Sequence, residues 1–223
     1  MCAVQQYSVF EKVTLSQVLN TDFFSRVIDN HELDWLARQN PHLLVYRATV
    51  PFQRQHFMFM YNRPNRRGEI VFLLENEQSQ ALLHTKPFFP NGVYRLLSGG
   101  INTGEAVEET LHREVFEETG FKINNGICHA LIFFTLQYDT LSMPFVTYLY
   151  HIRGVNGAPV VHDKSEKISG FRWIDIKDLD DIYRQLLQLS DNWQDWGLFR
   201  ALPHKIFYET LCPENGELEL LPV

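Results

Sequence analysis

The sequence predicts a mixed α/β fold carrying helical extensions at both ends, and three observations lead there. Val107, Leu111 and Val115 recur at helical spacing between a glycine turn at Gly99-Gly100 and a glycine stop at Gly120. β-prone runs flank that helix on both sides, at 69–75, 94–98, 127–137 and 143–152. Amphipathic stretches lie near the two ends, at 14–39 and 175–211. Strand pairs around a helix fit a layered α/β core. The expected division is an N-terminal helical extension over 1–42, a core domain over 43–190, and a C-terminal helical extension over 191–223 packed on the core.

Taken in order, 14–39 carries Leu15, Val18, Leu19, Phe23, Val27, Leu33 and Leu36 without glycine or proline, which predicts one or two amphipathic helices ending at Asn40-Pro41. Trp35, Phe23 and Phe24 read as packing residues. Leu43–Val50 and His56–Tyr61 are rich in β-formers and are predicted as strands. Asn62 to Gly68 is a basic, turn-rich loop, followed by the buried-strand pattern Glu69–Glu75 and a hairpin partner from Gln80 to Lys86. Arg63, Arg66 and Arg67 invite a phosphate-binding reading, because guanidinium pairs well with phosphate oxygens. A solvated hairpin tip is the reading favoured for them here.

Pro87 to Gly92 is a loop with two exposed-looking aromatics, Phe88 and Phe89, and Tyr94–Ser98 is a strand entering the glycine pair. Asn102 or Thr103 is positioned to cap the helix, and Asn102 with Glu105 resembles a capping box. Beyond Gly120, Phe121–Ile123 and Ile127–Gln137 are β-prone, as is Met143–Ile152, and Gly154 to Pro159 breaks the pattern. Asp175–Leu189 reads as a helix, and Trp193–Leu211 as a second one interrupted by Gly197 and Pro203. Three roles stay open for that last segment: covering the core, pairing with the N-terminal helices, or forming a homodimer interface.

The chain has 223 residues, 45% of them hydrophobic, which is enough for one sizeable core with an appended lobe. A net charge of −7 supplies no electrostatic footprint for nonspecific nucleic-acid binding. Cys2, Cys128 and Cys212 are scattered without metal-like spacing and read as free thiols in a reducing compartment. No secretory pattern opens the chain, and no run approaches the length of a membrane span. A soluble, cytoplasmic protein without membrane or nucleic-acid partners is the expectation.

The helix itself carries the chemistry. On a helical wheel Glu118 falls inside the edge of the apolar stripe, Glu114 borders it, and Glu117 lies a little further round. An ordinary solvated acidic face would place basic residues three or four positions away. Arg113 can serve Glu117 in that way, but Glu114 and Glu118 face each other with like charge and no basic helical neighbour. Partial burial worsens that repulsion, whereas a hard divalent cation such as Mg²⁺ or Mn²⁺ reverses it.

Gly99, five residues, Glu105, seven residues, then Arg113-Glu114-Val115-x-Glu117-Glu118-x-Gly120-Phe121 resembles the full signature of the Nudix hydrolase family. The resemblance implies a Nudix-type α/β/α sandwich with a mixed β-sheet and Mg²⁺- or Mn²⁺-dependent hydrolysis of a pyrophosphate bond in a nucleoside diphosphate linked to another group. It implies Glu114, Glu117 and Glu118 as metal ligands, a backbone carbonyl of Gly99 or Gly100 beside them, and Arg113 orienting a catalytic glutamate. Glu105 matches a position that is more often structural. Ser98 stands where many members have proline.

Many members also carry a glutamate in a loop before a strand ending in Arg-Trp, which Glu166 with Phe171-Arg172-Trp173 resembles. Glu166 is therefore the candidate base, and His162 or Asp163 could take the same role. In the family a proline a short distance beyond the signature accompanies ADP-ribose, and a tyrosine accompanies diadenosine polyphosphates. Here Gln137 and Tyr138 occupy that window and the next proline is Pro144. Phe88, Phe89 or Tyr138 could stack a base. Two other classes share the fold: a non-catalytic nucleotide sensor, usually with an eroded signature, and an isomerase needing a catalytic cysteine and glutamate around the diphosphate site.

Overall fold

The structure is a computed structural model that describes residues 9–63 and 65–213. Its centre is one mixed sheet, eight-stranded among the described residues, in the order β1-β2-β6-β7-β3-β5-β4-β8. The strands are β1 (Val9–Lys12), β2 (Leu44–Pro51), β3 (Arg66–Glu75), β4 (Gln80–Thr85), β5 (Arg95–Asn102), β6 (Ile127–Tyr138), β7 (Leu141–Arg153) and β8 (Gly170–Asp175). Pairs β2–β6 and β3–β7 are parallel and the other neighbours antiparallel.

Alternation along the central strands sends side chains to two separate cores. Val71 and Leu73 of β3 and Ile132, Phe134 and Leu136 of β6 join one core. It is covered by α3 (Arg54–Tyr61), α5 (Leu179–Leu187) and α6 (Gln194–Leu211). Ile70, Phe72 and Leu74 of β3 with Leu131 and Phe133 of β6 join the other, beneath α1 (Leu15–Leu19), α2 (Asn30–Gln39) and α4 (Val107–Thr119). The arrangement is the α/β/α sandwich expected. The N-terminal segment is not helical alone, since β1 adds a strand to the sheet edge.

Several local expectations are corrected. Residues 56–61 form helix α3, not a strand: Phe57 and Met60, three apart, face the core while Phe59 and Tyr61 stay exposed. Phe121 and Ile123 pack against the α4-side core from a loop, because Gly120 adopts φ 72° and turns the chain there. Strand β3 already begins at Arg66, inside the expected loop. Phe89 is buried, though Phe88 is exposed.

Helix α6 runs unbroken through Gly197 and Pro203. A proline inside a helix costs about 3 kcal/mol. Buried Leu198, Phe199, Leu202, Ile206 and Phe207 offset it at about 1.5–3 kcal/mol each. Gly197 serves packing, since a Cβ there would lie 2.3 Å from the Leu186 carbonyl oxygen on α5. Helix α6 thus covers the core. No helix among the described residues is long and apolar enough to cross a membrane.

Candidate functional site

Strand β5 delivers the glycine pair to the inner side of α4. A Cβ on Gly99 would lie 1.9 Å from the carboxyl carbon of Glu114, so only glycine lets strand and helix approach this closely. Gly100 is tight against a different neighbour, where a Cβ would lie 2.7 Å from Arg66 Nε. Helix α4 starts at Val107 with Ala106 at the cap position, four residues after Asn102 and three after Thr103. Gly104 at φ 83° turns the chain first, and Glu109 accepts from the Ala106 N–H at 3.2 Å. Glu32 of α2 accepts from the Val107 N–H at 3.2 Å and closes the helix end from outside.

Along α4 the glutamates differ sharply in environment. Glu118 is fully buried, Glu114 nearly so, and Glu117 keeps 30% of its side chain exposed. Arg113 ties the cluster together. Its guanidinium donates to Glu105 (2.7 and 2.9 Å), Glu114 Oε1 (2.7 Å), Glu117 Oε2 (3.0 Å) and the Gly100 carbonyl (3.0 Å). Hydrogen bonds to Glu105 above all push the Arg113 pKa up. Burial pushes Glu105 up, but the Arg113 fork and the Asn102 N–H outweigh it and leave its carboxyl below the usual range.

Glu118 is the anomaly. Neither carboxylate oxygen has a hydrogen-bond partner among the described residues. Lys86 Nζ stands 3.7 Å away, close enough for ion pairing and too far for a hydrogen bond, and His84 Nδ1 is 4.0 Å away. Burial first, then the like charges of Glu114 and Glu166, hold the Glu118 carboxyl well above its ordinary range against the pull of Lys86. Burial also raises Glu114, partly countered by Arg113. His84, buried with both ring nitrogens unpartnered, is held well below the usual histidine range by burial and by Arg95 and Lys86.

These features fit a hard divalent cation: buried carboxylate oxygens without donors, clustered like charges, and a strand cradle that a Cβ would fill. Arg113 and Lys86 now hold the carboxylates, and among the described residues no three acidic, histidine or cysteine side chains are gathered as a ready ligand set.

Glu166, on a short turn at Lys164–Glu166, meets Lys86 at 2.9 Å and lines a cleft of about 460 Å³ with Glu114, Arg113, Gly100, Asn102, Asn62, Arg63, Asn65 and Arg66. Of the alternatives, His162 packs its ring on Phe116 at 4.3 Å and Asp163 bonds Ser165 within its own turn. Tyr138 packs against Phe57. Cys128 is buried and Cys212 ends α6, neither lining this cleft; Cys2 lies outside the described residues.

Sequence reasoning placed the arginines at a solvated tip; Arg63 is exposed there, but the structure corrects this for Arg66 and Arg67. Arg66 bonds Glu69 (3.2 Å) and lines the cleft, while Arg67 is paired with Glu32 at 2.7 Å. Glu69, itself buried, also takes two 2.8 Å bonds from Arg200 of α6. Lys86, Glu69 and Arg200 were missed. A lone lysine at a strand end and an arginine in a helix carry no spacing signal, and a glutamate opening an apolar strand was the one visible hint.

The NUDIX domain model matches residues 64–199. The chain is 43% identical over 56 residues to the mitochondrial NAD(P)H pyrophosphatase NUDT13 of Mus musculus, covering 25% of this chain and 16% of that protein. It is 40% identical over 60 residues to the NAD-capped RNA hydrolase NudC of Mannheimia succiniciproducens, covering 27% and 21%. Against NudC of Pseudomonas syringae pv. syringae the identity is 28% over 144 residues, covering 60% and 46%. The chain thus spans less than half the length of these curated relatives. A looser likeness reaches the MutT NUDIX hydrolase of Burkholderia pseudomallei, with a TM-score of 0.41 and 19% identity over 60% of this chain and 96% of that one. With more than half its length inside the matched region, the chain belongs to the NUDIX domain family.

Proposed function

We propose that this protein is a divalent-metal-dependent pyrophosphohydrolase that cleaves the diphosphate linkage of a nucleoside diphosphate derivative, with dinucleotides of the NAD(H) type as the first substrates to test. The observation that carries this reading is Glu118: a buried carboxylate without a hydrogen bond, on the same helix face as Glu114, which lines a cleft with Glu166. The NAD-directed activities named for the relatives over the matched segments support the substrate class.

Glu114, Glu117 and Glu118, with a carbonyl of Gly99 or Gly100, would hold Mg²⁺ or Mn²⁺. The ion would neutralise diphosphate charge and lower the pKa of a bound water. Arg113 orients Glu114 and Glu117 by its bonds to both and is itself held by Glu105. Lys86 holds Glu166 at the cleft, where that carboxylate is placed to take a proton from an attacking water.

The test is incubation with NADH, NAD⁺, ADP-ribose, diadenosine polyphosphates and sugar nucleotides, each with Mg²⁺ or Mn²⁺, reading mononucleotide release. Release of AMP from NADH, lost in Glu117→Gln, is the expected result. Silence across the set, with tight nucleotide binding, would overturn hydrolysis in favour of a sensor.

A further inference from the structure

We propose that Phe59 and Arg63, backed by Arg66, form the substrate-gripping wall of the cleft: the guanidinium groups take phosphate oxygens and the Phe59 face carries an aromatic base. This rests on the hydrolase reading above for its substrate. Both lip residues lie outside the family-matched region 64–199, so the family assignment says nothing of them.

Charge pairing around the cleft singles out Arg63. Arg113 is saturated by three glutamates, and Arg66 is bonded to Glu69. Arg63 has no carboxylate partner among the described residues, so its charge is free for an anion. Arg66 adds to it, because Glu69 is shared with Arg200 and one carboxylate faces two guanidiniums. The cleft is therefore lined both by the carboxylates Glu114 and Glu166 and by the surplus positive charge of Arg63 and Arg66. A diphosphate bound by metal at the carboxylates leaves its remaining oxygens for those guanidiniums.

The lip is built for a ring as well. The Arg63 guanidinium sits 4.0 Å from the Phe59 ring centroid, and Phe59 is 54% exposed although its neighbours Phe57 and Met60 are buried. Phe59 adjoins the cleft through Arg63, whose guanidinium covers one ring face, and the exposed remainder of the phenyl with the outer side of the guanidinium offers a nucleobase a stacking surface. The lip is also fixed to the catalytic loop: Thr103 donates to the Asn65 carbonyl from its N–H (2.8 Å) and its hydroxyl (3.2 Å). The segment that follows Arg63 is thereby held at one separation from the signature turn.

The experiment pairs calorimetric titration of AMP in the presence of Mg²⁺ with NADH hydrolysis kinetics, for wild type, Arg63→Gln, Phe59→Ala and Phe59→Trp. Arg63→Gln should weaken AMP binding and raise the NADH KM by about ten- to a hundredfold, the worth of a charge-assisted hydrogen bond, with kcat changed far less. Phe59→Ala should weaken both by about fivefold or more, and Phe59→Trp should restore them. Both side chains are on the surface, and melting curves confirm that the variants fold. NMN titrated in place of AMP shows which ring the lip prefers. NADH hydrolysis with wild-type KM and AMP affinity in both loss variants overturns the wall while leaving the hydrolase standing. AMP binding that depends on Phe59 and Arg63 without any hydrolysis overturns the hydrolase and keeps the wall. Neither binding nor hydrolysis overturns both.

Discussion

Replacing Gly99 by alanine is the sharpest single test of the site, because the whole perturbation is one methyl group at a known place. The new Cβ would lie 1.9 Å from Glu114 Cδ, 2.0 Å from Cγ and 2.3 Å from Oε2. Ordinary carbon contacts begin near 3.5 Å, so the Glu114 carboxyl must retreat by about 1.5 Å or strand β5 must shift. Mg²⁺ accepts ligands only near 2.0–2.1 Å, so a carboxylate displaced that far no longer reaches the same ion. Even outer-shell losses cost about ten- to a hundredfold in metal affinity, which sets the minimum expected for Gly99→Ala by Mn²⁺ titration. Overpacking adds about 1–3 kcal/mol of destabilisation, or about 2–12 °C in Tm for a chain of this size. Gly100→Ala offers a comparison: its Cβ would lie 2.7 Å from Arg66 Nε and not against Glu114, so it should raise substrate KM and cost less metal affinity than Gly99→Ala. Wild-type metal affinity in Gly99→Ala would refute the placement of Glu114 in the ion's shell.

Three further outcomes follow from the same geometry. Because burial holds Glu118 well above its ordinary range, the metal-free fold is favoured with that carboxyl protonated, and its contribution is lost as pH rises above the usual glutamate value of 4.5. In thermal melts with chelator, Glu118→Gln should therefore melt above wild type by a margin that widens from pH 5 to pH 8, and should lack the rise in Tm expected of wild type on adding Mg²⁺; identical pH profiles would contradict it. Glu117→Gln, partly exposed, should keep the wild-type melting temperature within a few degrees yet lower kcat/KM by about a hundredfold or more in a mononucleotide-release assay. Glu69→Ala leaves the partly buried Arg66 and Arg200 together without their shared counter-charge and should cost about 3 kcal/mol in chemical denaturation.

The signature helix was legible because its message is periodic. The four-residue spacing of Val107, Leu111 and Val115 fixed the buried face, and the wheel positions of Glu114 and Glu118 then implied the burial that the structure shows. Helix α3 was not legible: His56–Tyr61 is a short run of β-formers whose burial at Phe57 and Met60 becomes visible only once the core beneath it is assembled. The same limit hid the cleft's basic wall. Arg66 sits behind Gly100 through strand pairing between β3 and β5, and Lys86 reaches Glu166 from 80 positions away, so both depend on contacts that no local pattern encodes. Proline in α6 misled for a related reason, since its local cost is outweighed by apolar partners distant in sequence.

Glu32 sets the boundary of the working unit. It closes the first turn of α4, pairs with Arg67 and accepts from the Tyr148 hydroxyl at 2.8 Å, yet it belongs to α2, well before the family-matched region. A chain trimmed to residues 64–199 would keep every signature residue but lose Glu32 along with the elements before Arg66 and α6 from Arg200 onward. Arg67 would then stand half-buried without its counter-charge, a loss of about 3–5 kcal/mol, and the helix that presents the glutamates would open with an uncapped N–H. The smallest fragment able to hold the acidic cluster in place therefore begins upstream of α2, and excising the motif by its sequence limits should yield a loosened protein with an intact signature.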